Sequence, residues 1–331
     1  MKLKDIAALA GVSVTTASYV INGRAQDRRI SPETAQRVLD VAAEYKWQPD
    51  AGAAALRRGQ TRSIGFIVPD LENPSYAKLA KVLEQGARAQ GYQLLVASSD
   101  DIAEHERTLV ATLRARRCDG LIVASCLAGD DGVYRQALDA GLPVVALDRE
   151  LDAQRFVSFV SDDRQAGERL TQALIDPVPS SIAFISAREE LPISKWRLAG
   201  FRDAIAHYAG DVTVRHTTTF AREYGYEEMR DVLAAGGELP AAILTTSYVL
   251  LTGVLDALTE HRSDWTAHTR LATFGEAQLL DFLPGRVDSM GQQHGALASG
   301  ALDALLRQIE GAPVAPGVRR IARVFKQRRV H

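Results

Sequence analysis

Polar side chains follow several apolar runs of the sequence, and some of these side chains could bind a charged sugar. Asp148 and Arg149 come directly after the run 144–147. A carboxylate such as Asp148 accepts hydrogen bonds from hydroxyl groups, and a guanidinium such as Arg149 can bind phosphate through two parallel hydrogen bonds. Arg197 adds a second guanidinium near the start of a helical pattern, and Glu276 adds a second carboxylate. These residue types together predict a sugar phosphate as the ligand.

Further polar residues stand just past other apolar runs. Ligands of parallel sheets bind beyond the carboxyl ends of the strands, so we expect these side chains to face one cleft. Asn73 in the segment NPSY can cap a helix whose N–H groups would attract an anion. Simpler explanations remain open, because Asp148 and Arg149 can pair with each other and serines are common in turns. The predicted ligand-binding residues are Ser75, Ser99, Asp148, Arg149, Arg197, Ser247, Glu276 and Gln292, with Lys195 as a further cation.

The segment GVSVTTASYVING, residues 11–23, places four hydroxyl side chains on a predicted short helix, although Ser and Thr are weak helix formers. Gly11 can adopt the positive φ that ends the preceding helix tightly, and Ser13 can cap the next helix. Two helices joined by a short glycine-containing turn form the DNA-binding helix-turn-helix. The hydroxyls lie opposite the apolar Ala17 and Val20, where they could contact phosphates or base edges. Two helices of an ordinary bundle are the simpler alternative.

Periodicity predicts the elements that must position these residues. Residues 1–47 show helical spacing with no evident strand, and Ala51–Arg58 forms a short Ala-rich pattern interrupted by Gly52. From residue 61 onwards, apolar strand-like runs alternate with amphipathic helical patterns. Such alternation indicates parallel sheets covered by helices on both faces. Two doubly wound sheets fit the number of strands better than the alternative, a (β/α) barrel. The predicted strands are Ser63–Val68, Leu94–Ala97, Gly120–Ala124, Val144–Leu147, Val157–Val160, Ser181–Ile185, Ala241–Leu244 and Leu271–Phe274.

Charge and cysteine content narrow the class of protein. Residues 1–60 carry nine Lys and Arg against six Asp and Glu, whereas the remainder of the chain is net acidic. A basic head on an acidic body is typical of a nucleic-acid-binding module. The two cysteines, Cys118 and Cys126, form no disulfide framework and suit a reducing compartment. Without a signal-peptide pattern or a long apolar run, we expect a cytoplasmic protein.

No pattern of residues indicates catalysis. The seven histidines are scattered without metal-ligand spacing, and neither a nucleophile elbow nor a phosphate-binding glycine loop is present in the sequence. We therefore expect a binding protein that is not an enzyme and needs neither a cofactor nor a metal ion.

At the N-terminal segment the chain resembles the LacI family of bacterial transcription regulators. The resemblance rests on Asp5-Ile6-Ala7, Ala10-Gly11-Val12-Ser13, Thr16, Ser18 and Asn22, and continues at Pro49, Asp50, Ala53 and Leu56. Segments such as RGQTRSIGFIVPDLENPSY, VALDRELD and TFGEAQLLDFL are similar to the fructose-responsive branch of that family. The loop 22–31 is about three residues longer than in most of the family and carries Arg24, Arg28 and Arg29.

This resemblance implies roles in DNA binding. Val14, Thr15 and Tyr19 would enter the major groove. Thr16, Ser18 and Asn22 would support the recognition helix and reach phosphates. Ser13, as the cap of that helix, and Arg29, on the basic flank, would also belong to the DNA-binding residues. Leu56 would wedge into the minor groove and kink the duplex. An ordinary contact between paired hinge helices is the alternative for Leu56.

The resemblance also implies an effector and a fold. Asp148, Arg197, Ser247 and Glu276 fall on the family's effector positions, and the fructose-responsive branch responds chiefly to fructose 1-phosphate. We expect an all-α helix-turn-helix domain (1–47), a hinge (48–60) and a periplasmic-binding-protein-like α/β body (61–331). The body would comprise two doubly wound parallel-sheet subdomains, one of about 61–160 and 290–320 and the other of about 161–289 and 321–331.

The expected function is regulation of sugar and central carbon metabolism by binding palindromic operator DNA as a homodimer or homotetramer. The effector would close the cleft and thereby weaken DNA binding. Two alternatives remain: a sugar-binding transport protein, opposed by the basic helical head, and a cytosolic sugar-phosphate enzyme, opposed by the lack of a recognisable acid–base pair.

Overall fold

The second and third helices of the chain begin after serines whose side chains cap them. The structure, a computed structural model, describes residues 1–47, 59–127, 129, 132–234, 238–262 and 264–328. Ser13 Oγ accepts a hydrogen bond from the backbone N–H of Thr16 at 3.0 Å, and Ser31 Oγ accepts one from Thr34 at 3.2 Å. Gly11 has a φ of 66°, as the tight turn requires. Residues 1–47 thus contain α1 (Leu3–Leu9), α2 (Val14–Ile21) and α3 (Pro32–Glu44).

A small apolar core holds these three helices together. Ile6, Ala17 and Val38, one residue from each helix, are fully buried. Val12 packs against this core from the turn between α1 and α2. The predicted helix-turn-helix is confirmed in its caps, its turn and its apolar face. Residues 1–61 form one compact unit and residues 62–331 form a second.

The predicted hinge helix, Ala51–Arg58, lies outside the described residues, as do Pro49, Asp50, Gly52 and Leu56. The sequence-based expectations for these positions therefore remain predictions.

The body from residue 62 onwards contains two sheets. The first sheet has the strand order β11-β5-β4-β3-β1-β2, with every neighbouring pair parallel. The second has the order β12-β10-β9-β8-β6-β7, parallel except for the pair β10–β12. The alternative barrel is therefore wrong. The strands are β1 (Ser63–Val68), β2 (Gln93–Ser98), β3 (Gly120–Val123), β4 (Val144–Leu147), β5 (Val157–Ser161), β6 (Ser181–Ala187), β7 (Asp211–Thr217), β8 (Ala242–Thr245), β9 (Arg270–Phe274), β10 (Val287–Gly291), β11 (Gly317–Ile321) and β12 (Val324–Lys326).

Helices cover both faces of each sheet, which explains why the central strands are apolar throughout. On the first sheet, α4 and α12 pack on one face and α5 and α6 on the other. On the second, α7 and α8 face α9 and α10 across the strands. The described helices of the body are α4 (Pro74–Ala89), α5 (Ala103–Ala115), α6 (Gly132–Asp139), α7 (Asp163–Leu174), α8 (Pro192–Ala204), α9 (Arg222–Ala234), α10 (Tyr248–His261), α11 (Trp265–His268) and α12 (His294–Ile309), and a 3-10 helix spans Gln278–Phe282.

The chain passes between the two sheets three times: after β5, after β10 and after β11. The long helix α12 is the element that returns to the first sheet. It buries Leu297, Ala301 and Leu305 against the core under β3 and β4. Elements that are distant in sequence therefore complete each sheet.

The eight predicted strands agree with the structure to within two residues, but several elements differ. The helix predicted to begin near Arg197 begins five residues before it, because Pro192 occupies the first turn, where a missing N–H is tolerated. No predicted strand corresponds to β7, β10, β11 or β12, because β7, β11 and β12 lie at sheet edges and β10 contains Asp288 and Ser289. No helix in the described part of the chain is long and apolar enough to span a membrane.

Candidate functional site

A cleft of about 460 Å³ opens at the carboxyl ends of strands from both sheets. This is the position where parallel sheets bind ligands. Its walls combine carboxylates, guanidinium groups and the ring of Phe274. Seven of the eight predicted ligand-binding residues line it: Ser75, Asp148, Arg149, Arg197, Ser247, Glu276 and Gln292.

Ser99 is the exception and requires a correction. It is fully buried, and its hydroxyl donates to the carbonyl oxygen of Val68 at 3.4 Å. The next residues, Asp100 and Asp101, have φ values of 54° and 57°, and it is they that line the cleft. The prediction of Lys195 as a further cation of the site is also wrong, because Lys195 lies on the exposed face of α8.

The strongest feature of the cleft is a pair of arginines that share one carboxylate. Arg197 Nε lies 3.1 Å from Asp163 Oδ1, and Arg323 Nε lies 2.8 Å from the same oxygen. All three side chains are less than 10% exposed. Two guanidinium groups and one carboxylate leave an excess positive charge in a place largely screened from water.

The remaining hydrogen bonds of the two arginines go to backbone carbonyl oxygens and to no second carboxylate. Arg197 Nη1 donates to the carbonyl oxygen of Thr246 at 2.7 Å, and both guanidinium groups lie over the ring of Phe274. Arg323 Nη2 is buried and finds no acceptor among the described residues. Burial lowers the pKa of Arg323 from its usual value. A buried donor without an acceptor beside a surplus cation is suited to bind an anion.

Two glycines bring Asp163 and Arg197 together. Where α7 meets α8, a Cβ on Gly200 would lie 2.0 Å from the carbonyl oxygen of Arg164. A Cβ on Gly167 would lie 2.8 Å from the carbonyl oxygen of Arg197. Neither position can accept a side chain at this spacing, so the two glycines permit the close approach that pairs the carboxylate with the guanidinium.

Asp148 is the centre of a second group of contacts. Tyr76 donates its hydroxyl to Asp148 Oδ2 at 2.8 Å, and the amide of Gln292 donates to Oδ1. Ser75 Oγ bonds to Gln292 and lies 2.8 Å from His294 Nε2. Burial raises the pKa of Tyr76 well above its usual value, and burial lowers the pKa of His294 to about 4. Both groups are therefore neutral at pH 7 and can share hydrogen bonds with a polar ligand.

Arg149 does not pair with Asp148, the simpler explanation that the sequence left open. Its Nη1 donates to Asp101 Oδ1 at 2.6 Å and to the carbonyl oxygen of Ser125 at 3.3 Å, and the ion pair is almost completely buried. Arg149 therefore pairs with Asp101, while Asp148 pairs with Tyr76. Asn73 acts as predicted, since its side chain caps α4 by accepting from the N–H of Ser75.

The recognition helix α2 presents a distinct polar face. Val14 is 49% exposed, and Thr15 is also exposed, so both are accessible from outside the three-helix unit. Thr16 Oγ1 lies 2.9 Å from Ser13 Oγ. Asn22, at the end of α2, donates its amide to the carbonyl oxygen of Ser18 at 2.6 Å. These contacts fix the two ends of the helix.

The loop after α2 supports Tyr19. The guanidinium of Arg28 lies 4.8 Å from the centre of the Tyr19 ring, a cation–π geometry. Arg29 is exposed and has a φ of 52°. The basic loop predicted from the sequence thus lies beside the recognition helix.

Two family models match the chain. The model described as "Bacterial regulatory proteins, lacI family" matches residues 2–50, and that described as "Periplasmic binding proteins and sugar binding domain of LacI family" matches residues 61–246. The chain belongs to the LacI family. As a LacI family member it is a DNA-binding transcription regulator with a sugar-binding body, and not an enzyme.

Relatives agree with this assignment. The chain is 43% identical over 331 residues to the fructose operon regulatory protein of Vibrio cholerae, covering 99% of this chain and 100% of that protein. It is 38% identical to the catabolite repressor/activator of Escherichia coli K12, with 100% and 99% covered. A crystal structure of the Cra transcriptional dual regulator from Pseudomonas putida with fructose 1-phosphate shares 51% identity and a TM-score of 0.78, covering 81% of this chain and 98% of that one. The resemblance to the fructose-responsive branch is thereby confirmed.

Four residues in or beside the cleft are not predicted from the sequence. Arg323 lies in the segment between β11 and β12. The basic composition of this segment predicts exposure to solvent, but Arg323 is buried. Asp163 directly follows Asp162, which caps the helix. The sequence therefore does not distinguish Asp163 as a residue of the cleft. Tyr76 and His294 lie on helices whose apolar pattern suggests only packing. Burial, which the sequence does not encode locally, distinguishes Arg323, Asp163 and Tyr76, and His294 is partly buried beside Ser75.

Proposed function

We propose that this LacI family member releases its operator when a phosphorylated sugar, fructose 1-phosphate, enters the cleft. The observation that carries the proposal is the buried pair Arg197 and Arg323 around the single carboxylate of Asp163. A phosphate would supply the negative charge that this pair lacks and would accept from Arg323 Nη2. The fructose 1-phosphate bound to the relative from P. putida supports the same ligand.

The sugar hydroxyls, in this proposal, meet the polar residues of the remaining wall. Asp148 would accept from hydroxyls, and Ser75 and Gln292 would donate or accept alongside it. Ser247 caps α10 by accepting from the N–H of Val249 at 3.0 Å, and its hydroxyl hydrogen would be directed to the ligand. Arg149 would act through its charge, since Asp101 already pairs with it. Glu276, which follows β9 of the second sheet, also lines the cleft.

For the DNA-binding unit we propose the roles implied by the family. Val14, Thr15 and Tyr19 would contact base edges in the major groove, where donor and acceptor patterns identify each base pair. Phosphates would be bound by Ser13, Thr16, Ser18, Asn22 and Arg29. Leu56, outside the described residues, would enter the minor groove.

We further propose a homodimer or homotetramer that acts in the cytoplasm on a palindromic operator, because two-fold protein symmetry matches two half-sites. Residues 1–47 would be the DNA-binding domain, 48–60 the hinge and 61–331 the body. Within the body, one subdomain would take about 61–160 and 290–320, and the other about 161–289 and 321–331. The allocation of strands to the two sheets supports this division.

A gel-shift titration tests the proposal. The full chain is first used to select its preferred site from random DNA, and binding to that site is then measured with increasing fructose 1-phosphate. We expect release of DNA by fructose 1-phosphate and no release by fructose or inorganic phosphate at the same concentration. Arg323→Gln should bind the site normally and resist release.

Two outcomes would contradict different parts of the proposal. Failure to select any site would contradict the role of the recognition helix. Selection of a site with no response to fructose 1-phosphate, while another phosphorylated sugar releases it, would contradict the choice of sugar and retain the anion site.

A further inference from the structure

Glu276 reaches the cleft already surrounded by hydrogen-bond donors. Arg328 Nη2 lies 2.7 Å from Glu276 Oε1 and 2.8 Å from Oε2. Lys326 Nζ donates to Oε1 at 3.2 Å, and Ser289 Oγ donates to Oε2. Burial alone would raise the pKa of Glu276, but hydrogen bonds from Arg328 and Ser289 hold the pKa below its usual value. The group is an acceptor-only carboxylate at pH 7.

Arg328 is itself held on every side. Its Nε donates to Asp281 Oδ1 at 2.8 Å, and its Nη1 donates to the carbonyl oxygen of Val287 at 3.0 Å and to Ser289 Oγ at 2.8 Å. Its side chain is 7% exposed. Such a fully bonded, buried guanidinium has one accessible arrangement, so it fixes the carboxylate that it contacts.

Lys326 differs from Arg328 in its exposure to solvent and in how firmly it is held. Its side chain is 43% exposed, and its ammonium group lies between Glu276 and Asp281, at 2.7 Å from Asp281 Oδ1. Its 3.2 Å bond to Glu276 is longer than the two bonds made by Arg328. Leaving Glu276 would let this ammonium group keep Asp281 as its partner and gain water.

A carboxylate has about four acceptor positions, two on each oxygen. In Glu276 these are occupied by Arg328 on both oxygens, Lys326 on one and Ser289 on the other. A sugar hydroxyl can therefore bond to Glu276 only if one donor leaves. Of these donors, Lys326 is the exposed one with the alternative partner.

We propose that Arg328 is a positioning residue for effector recognition, which fixes Glu276 as a hydroxyl acceptor, and that Lys326 is the exchangeable donor that the effector displaces. This rests on the proposed function, in which the sugar part of the effector contacts Glu276. It separates recognition of hydroxyls, at Glu276 and Arg328, from recognition of the phosphate, at Arg197 and Arg323.

The two residues predict effects of opposite sign. Arg328→Gln should raise the fructose 1-phosphate concentration needed for half-maximal operator release about tenfold or more, because Glu276 loses its fixed position. Arg328→Lys should give a smaller increase, since it keeps the charge and loses the fork of donors. Lys326→Met should lower the concentration about two- to fivefold, because no donor has to be displaced. Arg262→Gln, which removes a partly exposed arginine that follows α10 and pairs with Asp264, is the matched control.

A second readout separates positioning from general stability. Binding of inorganic phosphate to the full chain, measured by calorimetry or by competition with fructose 1-phosphate, should be unchanged in Arg328→Gln. If Arg328→Gln does not fold, Arg328→Lys and Lys326→Met carry the same test.

The outcomes distinguish this inference from the proposed function. Wild-type protein that binds no fructose 1-phosphate would overturn both. Wild-type protein that responds to it, with Arg328→Gln equally responsive or weakened equally towards inorganic phosphate, would overturn the positioning role alone. A Lys326→Met variant that needs more effector than wild type would overturn the exchange.

Discussion

Arg188 reaches from the end of a strand in the second sheet to Asp101, which follows a strand of the first sheet. Its Nη1 donates to the carbonyl oxygen of Asp101 at 2.9 Å and lies 3.5 Å from Asp101 Oδ1, while its Nη2 donates to the carbonyl oxygen of Cys126 at 3.1 Å. Both Arg188 and Asp101 have positive φ, 51° and 57°, which is costly for residues other than glycine. Because Arg149 also pairs with Asp101, this one carboxylate connects a wall of the cleft to both halves of the body.

Removal of this contact should loosen the two halves of the body. A contact across the cleft favours the more closed arrangement, and the effector is expected to favour that arrangement too. Arg188→Ala should therefore raise the fructose 1-phosphate concentration for half-maximal operator release, by about fivefold or more. The measurement is a gel-shift titration of full-length protein, with Arg262→Ala as control. A lower half-maximal concentration would mean that the contact belongs to the DNA-binding arrangement.

Two neighbouring residues of α2 should affect DNA binding in different ways. Tyr19→Ala should lose discrimination between the selected site and its single-base variants, by about 1–3 kcal/mol at one position, because a base contact is removed. Ser18→Ala should weaken binding to all DNA sequences about equally, because it removes a contact with the phosphate backbone of the DNA. Fluorescence anisotropy against a panel of base-pair variants measures both. Equal, uniform losses in the two variants would contradict the assignment of Tyr19.

Asp163 should contribute more to the stability of the fold when no anion is bound than when one is. Asp163→Asn leaves Arg197 and Arg323 without their shared carboxylate, and removal of one partner from a buried ion pair costs about 3 kcal/mol or more of the free energy of unfolding. A bound anion should restore most of this loss, because a ligand that binds only the folded state stabilises it. Urea denaturation with and without added phosphate tests the prediction, and chloride at equal ionic strength is the control. The same loss in both salts would argue against an anion site here.

His294 should make the body less stable in weak acid. Its pKa in the folded protein is about 4, below the ordinary value of 6.5, because burial disfavours the charged form. The unfolded chain therefore binds the extra proton first, so stability is full above about pH 6.5 and falls as the pH decreases towards 4. The fall attributable to this residue should be about 2 kcal/mol or less, since the ring is only partly buried.

The matched variant for this test is His294→Gln, which can still bond to Ser75 and does not titrate. The free energies of unfolding of the two proteins should agree near pH 7, and the wild type should lose more between pH 6.5 and pH 4.5. Parallel curves would show that the ring is already protonated in the folded protein, or that it is equally exposed in both states.

Local pattern is sufficient for some elements and not for others. The strands β1 and β4 begin and end where the sequence predicts, because both faces of each are buried and every residue is selected for that environment. In contrast, β7 has five exposed residues in succession at the edge of its sheet, and β11 contains two adjacent arginines. At an edge, pairing with the neighbouring strand decides the conformation, and the sequence of the strand itself carries little of that information.

The cleft shows the same division. Asp148 and Arg197 could be predicted, because both follow from the rule that ligands meet the carboxyl ends of parallel strands. Arg323 could not, since it lies beside Asp163 only after the chain has passed three times between the sheets. The prediction that Ser99 faces the cleft was wrong, because the left-handed backbone of Asp100 and Asp101 determines which side chains face it. The residue types at these two positions do not indicate that conformation.

The order in which the strands join the first sheet has a consequence for biosynthesis. Its strands β1 to β5 are complete at residue 161, but α12, which covers one face, begins at residue 294, and β11 pairs with β5 only at residues 317–321. At a translation rate of 5–20 residues per second, the emerging chain exposes the part of that face which α12 covers for roughly 7 to 27 s, and the edge of β5 for roughly 8 to 31 s. During this interval the nascent chain has the features that chaperones bind, so its yield in the cell should depend on them more than its final stability suggests.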